Sequence, residues 1–282
     1  MSKTLLICIG AQKAGTTWLA DYFRNHPQVH VPLAKEVHYF DARFVPTWCR
    51  KYETEMLEEF QHEVAALNRE TCGEPAIQQK LHAMLLRFRM IHDPKEYLRF
   101  MMWGAQNASV LFEATPDYCM MAEDGFAAMK EMHPDVRLVF LLRNPADRFW
   151  SSMKFNKIHR PDFDIVQGFH KFLEREDFKL LADYGRTLRA IRAVFPQNRI
   201  HIEFYERLFC AGAVNSICHF AGISPMTAAF EVRSNASFSN ETPKELRARA
   251  VSAYGRAYSD IHEFMDGDVP ESWLQDLALL QG

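Results

Sequence analysis

The sequence lacks the features of membrane, secreted and nucleic-acid-coating proteins. Its 282 residues contain no run of about 18 consecutive apolar residues, so no transmembrane helix is predicted. The N-terminus leads directly into a strand-like run without a small-residue cleavage site, so no signal peptide is predicted. The six cysteines include no C-x-x-C pair and no zinc-type spacing, which favours a reducing cytoplasm and no metal site. The net charge is only −3, so no overall basic field exists for nucleic acid or an anionic membrane.

Four apolar runs that do not alternate with polar residues predict buried strands, at residues 5–9, 110–112, 138–142 and 200–204. Helical patterns lie between them, at residues 17–25, 55–67, 80–90, 126–133, 146–157 and 180–194. Strands that alternate with helices imply right-handed crossovers. The sequence therefore predicts a single α/β domain with a central, mostly parallel sheet flanked by helices.

Two segments stand apart from this alternation. Residues 44–108 are rich in helix patterns and poor in strand patterns, so they are interpreted as a helical insertion beside the sheet. This insertion is expected either to wall the substrate cleft or to form a solvated helical layer. Residues 243–282 are predicted to form two helices that pack on the body of the domain.

The first predicted strand leads into a glycine-bounded turn. Gly10 and Gly15 have the G-x-x-x-x-G spacing of a nucleotide phosphate loop, in which backbone N–H groups and a helix N-terminus face one anion. The ATP and GTP version has a lysine directly after the second glycine, whereas here Thr16 follows and the lysine is Lys13. A lysine inside the turn can reach a leaving phosphate without the usual Mg²⁺-holding arrangement. The two glycines alone would also fit a tight βα connection.

A second anion site is predicted where the run 138–142 ends. Arg143 follows this run directly, at the sheet edge where open α/β sheets bind their ligands. Pro145 suits a first helical turn, and Ser151 then lies about two turns into the helix. An arginine and a serine can hold a phosphate, since the guanidinium supplies a fixed fork of donors. The alternative is an arginine–aspartate surface pair, and Arg148 is interpreted as structural.

These segments together resemble the sulfotransferases that use 3′-phosphoadenosine 5′-phosphosulfate (PAPS). Residues 10–18, with the pattern G-x-x-K-x-G-T-T-W, are similar to the family's loop for the 5′-phosphosulfate. Residues 143–151, R-N-P-x-x-R-x-x-S, are similar to its 3′-phosphate motif. Residues 35–41, K-E-V-H-Y-F-D, resemble a stretch of the heparan-sulfate type and of related bacterial members, and weaker similarities occur at 113–118 and 204–208.

The resemblance implies one sulfotransferase domain over residues 1–282, with a P-loop-like site for PAPS, PAP as product and no metal. Lys13 is expected to stabilise charge on the departing 5′-phosphate. Gly15, Thr16 and Thr17 are expected to cradle that phosphate with backbone and hydroxyl donors. Trp18 is expected either to stack on adenine or to pack in the core of the first helix.

The resemblance also assigns the remaining site residues. Arg143 and Ser151 are expected to hold the 3′-phosphate. Glu36 matches the family's catalytic base, while His38 and Asp41 match neighbours that support acceptor binding or proton removal. An acceptor hydroxyl has a high pKa, so a carboxylate or imidazole must take its proton as the S–O bond forms. Glu36 is placed first as the base and His38 second. Without the resemblance, they would be interpreted as a salt-bridge or helix-cap carboxylate and a core histidine.

The chain departs from the heparan-type pattern in two places. Ala114 stands where those members carry a lysine, and their disulfide-bearing loop has no evident counterpart. A polyanionic sugar chain is therefore a poorer fit than other acceptors. The expected partner is a small-molecule or carbohydrate acceptor: the hydroxyl of a carbohydrate, a glycolipid or a small metabolite. Residues 233–237 resemble a loop that closes over PAPS in bacterial members.

Two other functions fit parts of the sequence. A P-loop kinase would use ATP–Mg²⁺, but it needs a lysine after Gly15, and this lysine is absent. A non-catalytic nucleotide-binding protein would keep the loop without turnover, although both Lys13 and Glu36 are present. The oligomeric state is not predicted.

Overall fold

A computed structural model describes residues 3–34, 36–46, 49–66, 74–90, 93–230 and 242–280. Within these ranges, the strands are β1 (Thr4–Gly10), β2 (Val29–His30), β3 (Val110–Ala114), β4 (Val136–Leu142) and β5 (Ile200–Phe204). They form one sheet in the order β2–β3–β1–β4–β5, and every pairing is parallel. The predicted α/β domain with a central parallel sheet is therefore confirmed.

The centre of the sheet explains why the strand prediction succeeds. Every residue of β1 is buried, and β3 and most of β4 are buried as well. Parallel strands that are covered on both faces contain continuous apolar runs, and this is the pattern that the sequence shows. The edge strand β2 has two residues and was not predicted, since so short a segment has no periodicity.

The helices flank this sheet. In chain order they are α1 (Thr16–Arg24), α2 (Asp41–Phe44), α3 (Cys49–Ala66), α4 (Pro75–Met90), α5 (Pro94–Met102), α6 (Glu123–Glu131), α7 (Pro145–His159), α8 (Ile165–Leu173), α9 (Glu176–Ala182), α10 (Tyr184–Val194), α11 (Tyr205–Leu208), α12 (Ala211–Ala221), α13 (Lys244–Ala253), α14 (Gly255–Phe264) and α15 (Glu271–Leu279). Short 3₁₀ helices occupy Pro116–Met120 after β3 and Gln197–Arg199 before β5.

Two helix predictions are wrong. The pattern over 180–194 is not one helix, because the chain breaks at Asp183, whose side chain accepts a hydrogen bond from the Arg186 N–H and caps α10. The described part of the tail, 242–280, contains three helices instead of two. The third, α15, starts directly after Pro270, a residue that suits a helix start.

The segment 44–108 contributes α3, α4 and α5. Tyr52 of α3 stacks on the imidazole of His38, with 3.8 Å between ring centroids. Arg87 of α4 donates a hydrogen bond of 2.9 Å to the backbone carbonyl of Glu36. Helices α3 and α4 of this segment thus contact residues 36 and 38 and help to hold them in place. The role of the segment as a wall for substrate stays a prediction.

A buried polar network fixes the C-terminal helices to the start of α7. Asn144 caps α7 and donates to Asp276 on α15 at 2.7 Å, while the Tyr258 hydroxyl donates to the Asn144 side chain at 2.8 Å. Arg247 of α13 pairs with both Asp276 and Asp147. These contacts fix the first turn of α7, which carries the second predicted anion motif. Over the described ranges, no helix is long and apolar enough to cross a membrane.

Candidate active site

The turn after β1 has the geometry of a phosphate-binding loop. Gly15 has φ 90° and Lys13 has φ 66°, both in the left-handed region. A Cβ on Gly15 would lie 2.9 Å from the Leu208 side chain, and one on Gly10 would lie 2.7 Å from the Pro116 carbonyl oxygen. Close packing against a backbone oxygen therefore requires Gly10, whereas the left-handed backbone favours a glycine at position 15, since the Leu208 side chain can move. No side chain caps the start of α1, so its first N–H groups are suited to hold an anion.

Arg143 joins the two predicted anion motifs. It follows β4, and its guanidinium donates a 2.8 Å hydrogen bond to the backbone carbonyl of Lys13. It also packs 4.2 Å above the ring centroid of Tyr205, while its own carbonyl accepts from the Tyr184 hydroxyl at 2.9 Å. The Lys13 ammonium lies 4.1 Å from the ring centroid of Phe155 on α7. Contacts of the folded chain thus place both cations at the same edge of the sheet.

A cleft of about 420 Å³ opens at this edge. Such a volume suits a small-molecule site, and the carboxyl ends of parallel strands are where α/β folds bind ligands. Predicted residues that line the cleft are Lys13, Gly15, Thr16, Thr17, Trp18, Glu36, Arg143 and Ser151. The structure therefore brings both anion motifs and the proposed base around one space. Arg148 is fully buried, in agreement with a structural role.

His38 lies behind the cleft surface, where it contacts carboxylates on both sides. Its Nδ1 lies 2.7 Å from Asp41 Oδ2, and its Nε2 lies 3.4 Å from Glu36 Oε2. Burial opposes protonation of the imidazole, but the hydrogen bonds to Asp41 and Glu36 outweigh it and raise the pKa of His38 to about 9. The imidazole is therefore protonated at neutral pH.

Asp117 is a further buried carboxylate near His38, and the sequence analysis did not select it. Its Oδ2 accepts a 2.6 Å hydrogen bond from the Tyr52 hydroxyl, and burial raises its pKa to about 6. Ligand atoms of His38, Asp41 and Asp117 lie within 4.8 Å of one another, close enough to hold a metal ion. Each of these residues already has a protein partner, namely Glu36 and Asp41 for the imidazole and Tyr52 for Asp117. The other oxygen of Asp117, Oδ1, is buried and has no hydrogen-bond partner among the described residues, so protein contacts satisfy this cluster only in part.

Trp18 is packed among aromatic residues of its own chain. Its ring lies 5.2 Å from that of Phe209 and 6.0 Å from that of Phe230, and its side chain is 7% exposed. The indole N–H donates to the carbonyl of Ala229 at 3.5 Å. Because part of the ring also lines the cleft, stacking on adenine stays a prediction. The predicted closing loop at 233–237 falls outside the described residues.

One wall of the cleft was missed by the sequence analysis. It combines the apolar side chains of Phe155, Phe172, Phe178 and Leu181, from α7, α8 and α9, with the polar side chains of Ser152, Asn156, Arg175 and Asp177. Phe155 follows Ser151 by one helical turn, a spacing that could have indicated the same face of α7. The other apolar residues belong to α8, which was not predicted, and to α9, of which only the last residues fell within the pattern 180–194. No local pattern identifies them.

The fold and the site are those of an α/β protein with a glycine-bounded loop and a cleft at the carboxyl edge of its parallel sheet. The sequence pattern that defines the sulfotransferase family matches residues 6–228, and the chain belongs to this family. Both anion motifs and the segment 36–41 lie within the matched part.

Solved structures share the fold at low sequence identity. A sulfotransferase from Alicyclobacillus acidocaldarius has a TM-score of 0.67 and 18% identity, with 97% of this chain and 99% of that chain covered. The sulfotransferase domain of the Synechococcus PCC 7002 olefin synthase has a TM-score of 0.51 and 13% identity, with 96% of each chain covered. The sulfotransferase domain of the curacin biosynthetic pathway has a TM-score of 0.53 and 11% identity, with 96% and 99% covered. No curated protein sequence matches this chain.

Proposed function

We propose that this chain transfers a sulfuryl group from PAPS to the hydroxyl of an acceptor. The observation that carries the proposal is the arrangement of Lys13, Arg143 and Glu36 around one cleft of a sulfotransferase fold. Two cations at a phosphate loop suit an anionic nucleotide, and a carboxylate in the same cleft suits removal of a hydroxyl proton.

The residues fit PAPS as the donor. The turn at Gly15 and the start of α1 offer N–H groups, and Lys13 adds a cation that the loop backbone positions. Arg143 and Ser151 would hold the 3′-phosphate. When bound, PAPS supplies the sulfuryl group and leaves as PAP. Lys13 would stabilise the negative charge that collects on the departing 5′-phosphate.

Glu36 is the proposed base, in preference to His38. A base must accept a proton, and an imidazole whose pKa is raised to about 9 already carries one at neutral pH. The His38 cation, 3.4 Å from the Glu36 carboxylate, would orient it toward the cleft. Asp41, at 2.7 Å on the other side, would hold the imidazole in place.

The wall of Phe155, Phe172, Phe178 and Leu181 supports an acceptor with an apolar body. Arg175 also lines this wall, but it pairs with Asp177 and packs above the rings of two of these phenylalanines. Among carbohydrates, glycolipids and small metabolites, this wall favours a glycolipid or an apolar metabolite over a polyanionic sugar chain.

The test of the donor is ligand-dependent thermal unfolding. PAP without metal is expected to raise the melting temperature, because a ligand that binds only the folded state stabilises it. A larger shift with ATP–Mg²⁺ would instead favour the kinase. Radiolabelled PAPS, offered with phenols, aliphatic alcohols, glycolipids and sulfated oligosaccharides, then identifies the acceptor class.

A further inference from the structure

Glu113 is a buried carboxylate that the proposed chemistry does not use. It lies on β3 beside the centre of the sheet and is fully buried. Its side chain accepts hydrogen bonds from the hydroxyls of Tyr97, Thr115 and Tyr118, which are fully buried too. None of these four residues lines the cleft. A charged group in such a position needs another explanation than contact with a ligand.

Two of the three hydroxyls continue to the backbone beside His38. The Val37 N–H donates to Thr115 Oγ1 at 2.9 Å, and the Thr115 hydroxyl donates to Glu113 Oε2 at 3.2 Å. The Tyr39 N–H donates to the Tyr118 hydroxyl at 3.1 Å, and this hydroxyl donates to the same carboxylate oxygen at 3.2 Å. Two parallel chains of hydrogen bonds therefore connect one buried carboxylate to the residues on either side of His38.

Which group donates and which accepts in these two chains of hydrogen bonds depends on the Glu113 carboxylate. Burial raises the pKa of Glu113 to about 7, so the ionised carboxylate predominates above neutral pH. In this form it only accepts hydrogen bonds, and the Thr115 and Tyr118 hydroxyls both turn their protons toward it. Each hydroxyl then presents its lone pairs to a backbone N–H. Because the two hydroxyls share one carboxylate oxygen, a glutamine that turns its amide oxygen toward them would keep both chains, whereas a methionine would leave both hydroxyls without this acceptor.

The backbone at His38 explains why such support is required. His38 has φ 54°, in the left-handed region that non-glycine residues rarely occupy. Such a conformation persists only where the surroundings hold it. This turn points the imidazole at Asp41 and brings Glu36 to the cleft. Loss of the support is expected to let residues 36–40 relax.

We propose that Glu113 is a positioning residue that holds residues 36–40 in the catalytic conformation through Thr115 and Tyr118. The kinetic test of this proposal rests on the proposed function, because it needs turnover. The spectroscopic test rests on the structure alone. Glu113, Thr115 and Tyr118 do not line the cleft, so the main effect is expected on the acid–base groups.

The kinetic test uses nearly isosteric variants. Glu113→Met, which removes the shared acceptor oxygen, and Thr115→Val, which interrupts one chain, are each expected to lower kcat at least about tenfold, since small displacements of catalytic groups are costly. The KM for PAPS and the affinity for PAP are expected to stay within about twofold, because the nucleotide contacts are intact. Thr115→Ser retains the hydroxyl and is expected to restore kcat.

Tyr97→Phe is the matched control. It removes a hydrogen bond to the same carboxylate, but the Tyr97 hydroxyl does not connect to the backbone of residues 37 or 39. Its kcat is expected to stay within about twofold of the wild type. An equal loss in Tyr97→Phe and Thr115→Val would show a general packing defect and would overturn the proposal.

The spectroscopic test needs no acceptor. Imidazole NMR signals report the pKa of His38, and in Thr115→Val this pKa is expected to fall toward 6.5, because the contacts with Asp41 and Glu36 loosen. A folded Thr115→Val protein with the wild-type pKa of His38 would contradict the proposal. If the wild-type protein failed to bind PAP, the proposed function would be contradicted. The NMR measurement of the His38 pKa would still test the positioning role of Glu113, because it needs neither donor nor acceptor.

Discussion

The phosphate side of the cleft (residues 10–18 with Arg143 and Ser151) is built mainly from one short stretch of backbone. The acid–base side (residues 36–41 with Tyr52 and residues 113–118) is built from side chains that are far apart along the chain. On the phosphate side, glycine geometry and a helix start create the binding groups. On the acid–base side, each functional group depends on another side chain for its position and charge.

This difference predicts how each side responds to substitution. Changes on the phosphate side should alter binding of the nucleotide and the stability of the loop. Changes on the acid–base side should alter turnover and the pH dependence of stability, and leave nucleotide affinity nearly intact. Four measurements test this division.

The largest effect is expected from Glu36→Gln. Turnover should fall about 10²–10⁴-fold, the contribution of a general base, while PAP affinity stays near that of the wild type. Steady-state kinetics and calorimetric titration with PAP measure the two quantities. Glu131→Gln, an exposed change on α6 away from the cleft, is the control and should leave both unchanged. Full activity in Glu36→Gln would require another base.

The pH dependence of stability should come next. The folded-state pKa of His38 is raised to about 9, so its stabilisation is complete below the unfolded value of 6.5 and is lost as the pH rises through 9. The total loss should be about 3 kcal/mol. Denaturant unfolding between about pH 7.5 and 9.5 should record about 2 kcal/mol of this loss, because the rest occurs mostly below pH 7.5. This range lies above the pKa of Asp117 and the pKa of Glu113, which burial raises to about 6 and about 7.

Asp41→Asn should flatten this pH dependence, because it removes the carboxylate 2.7 Å from the imidazole. Asp21→Asn changes an exposed carboxylate on α1 and should leave the slope as it is in the wild type. An unchanged slope in Asp41→Asn would mean that His38 does not carry the effect.

Arg143→Ala should weaken PAP binding about 10–100-fold, the loss expected for one or two charge-assisted hydrogen bonds. Calorimetric titration with PAP measures the change. Arg207→Ala is the matched control, since Arg207 is paired with Asp268 and does not line the cleft. Unchanged affinity in Arg143→Ala would remove this residue from the nucleotide site.

Gly15→Ala should lower the free energy of unfolding by about 1–3 kcal/mol, because an alanine at φ 90° is strained and its Cβ would lie 2.9 Å from Leu208. Gly212→Ala is the control: Gly212 lies in α12 and its Cβ would have no neighbour closer than 3.8 Å. That change should be neutral or slightly stabilising. Equal losses in both variants would mean that the loop geometry is not special.

The phosphate side and the acid–base side also differ in how much of each could be predicted from the sequence. The phosphate loop was identified because Gly10, Lys13, Gly15 and Thr16 are close in sequence and their spacing has a direct geometric meaning. Arg143 was identified because it directly follows a strongly apolar strand. The break at Asp183 was missed, since the helical pattern continues through it and only the cap shows the interruption.

The acid–base side was predicted through resemblance alone. Glu36, His38 and Asp41 form a recognisable stretch, but nothing in it indicates that Tyr52, Thr115 or Tyr118 would support them. These contacts join residues up to 79 positions apart. Contacts between residues so far apart leave no periodic pattern in the sequence, so they could not be predicted from it.

The sequence by itself determined the four longer strands of the parallel sheet, the glycine-bounded loop after the first strand and the identity of the charged groups, because each depends on neighbouring residues or on apolar periodicity. Only the tertiary structure decided which groups share the cleft, that His38 holds its proton at neutral pH and that a buried carboxylate supports the turn beside it. Those properties depend on burial and on distances between remote side chains, and both exist only after the chain has folded.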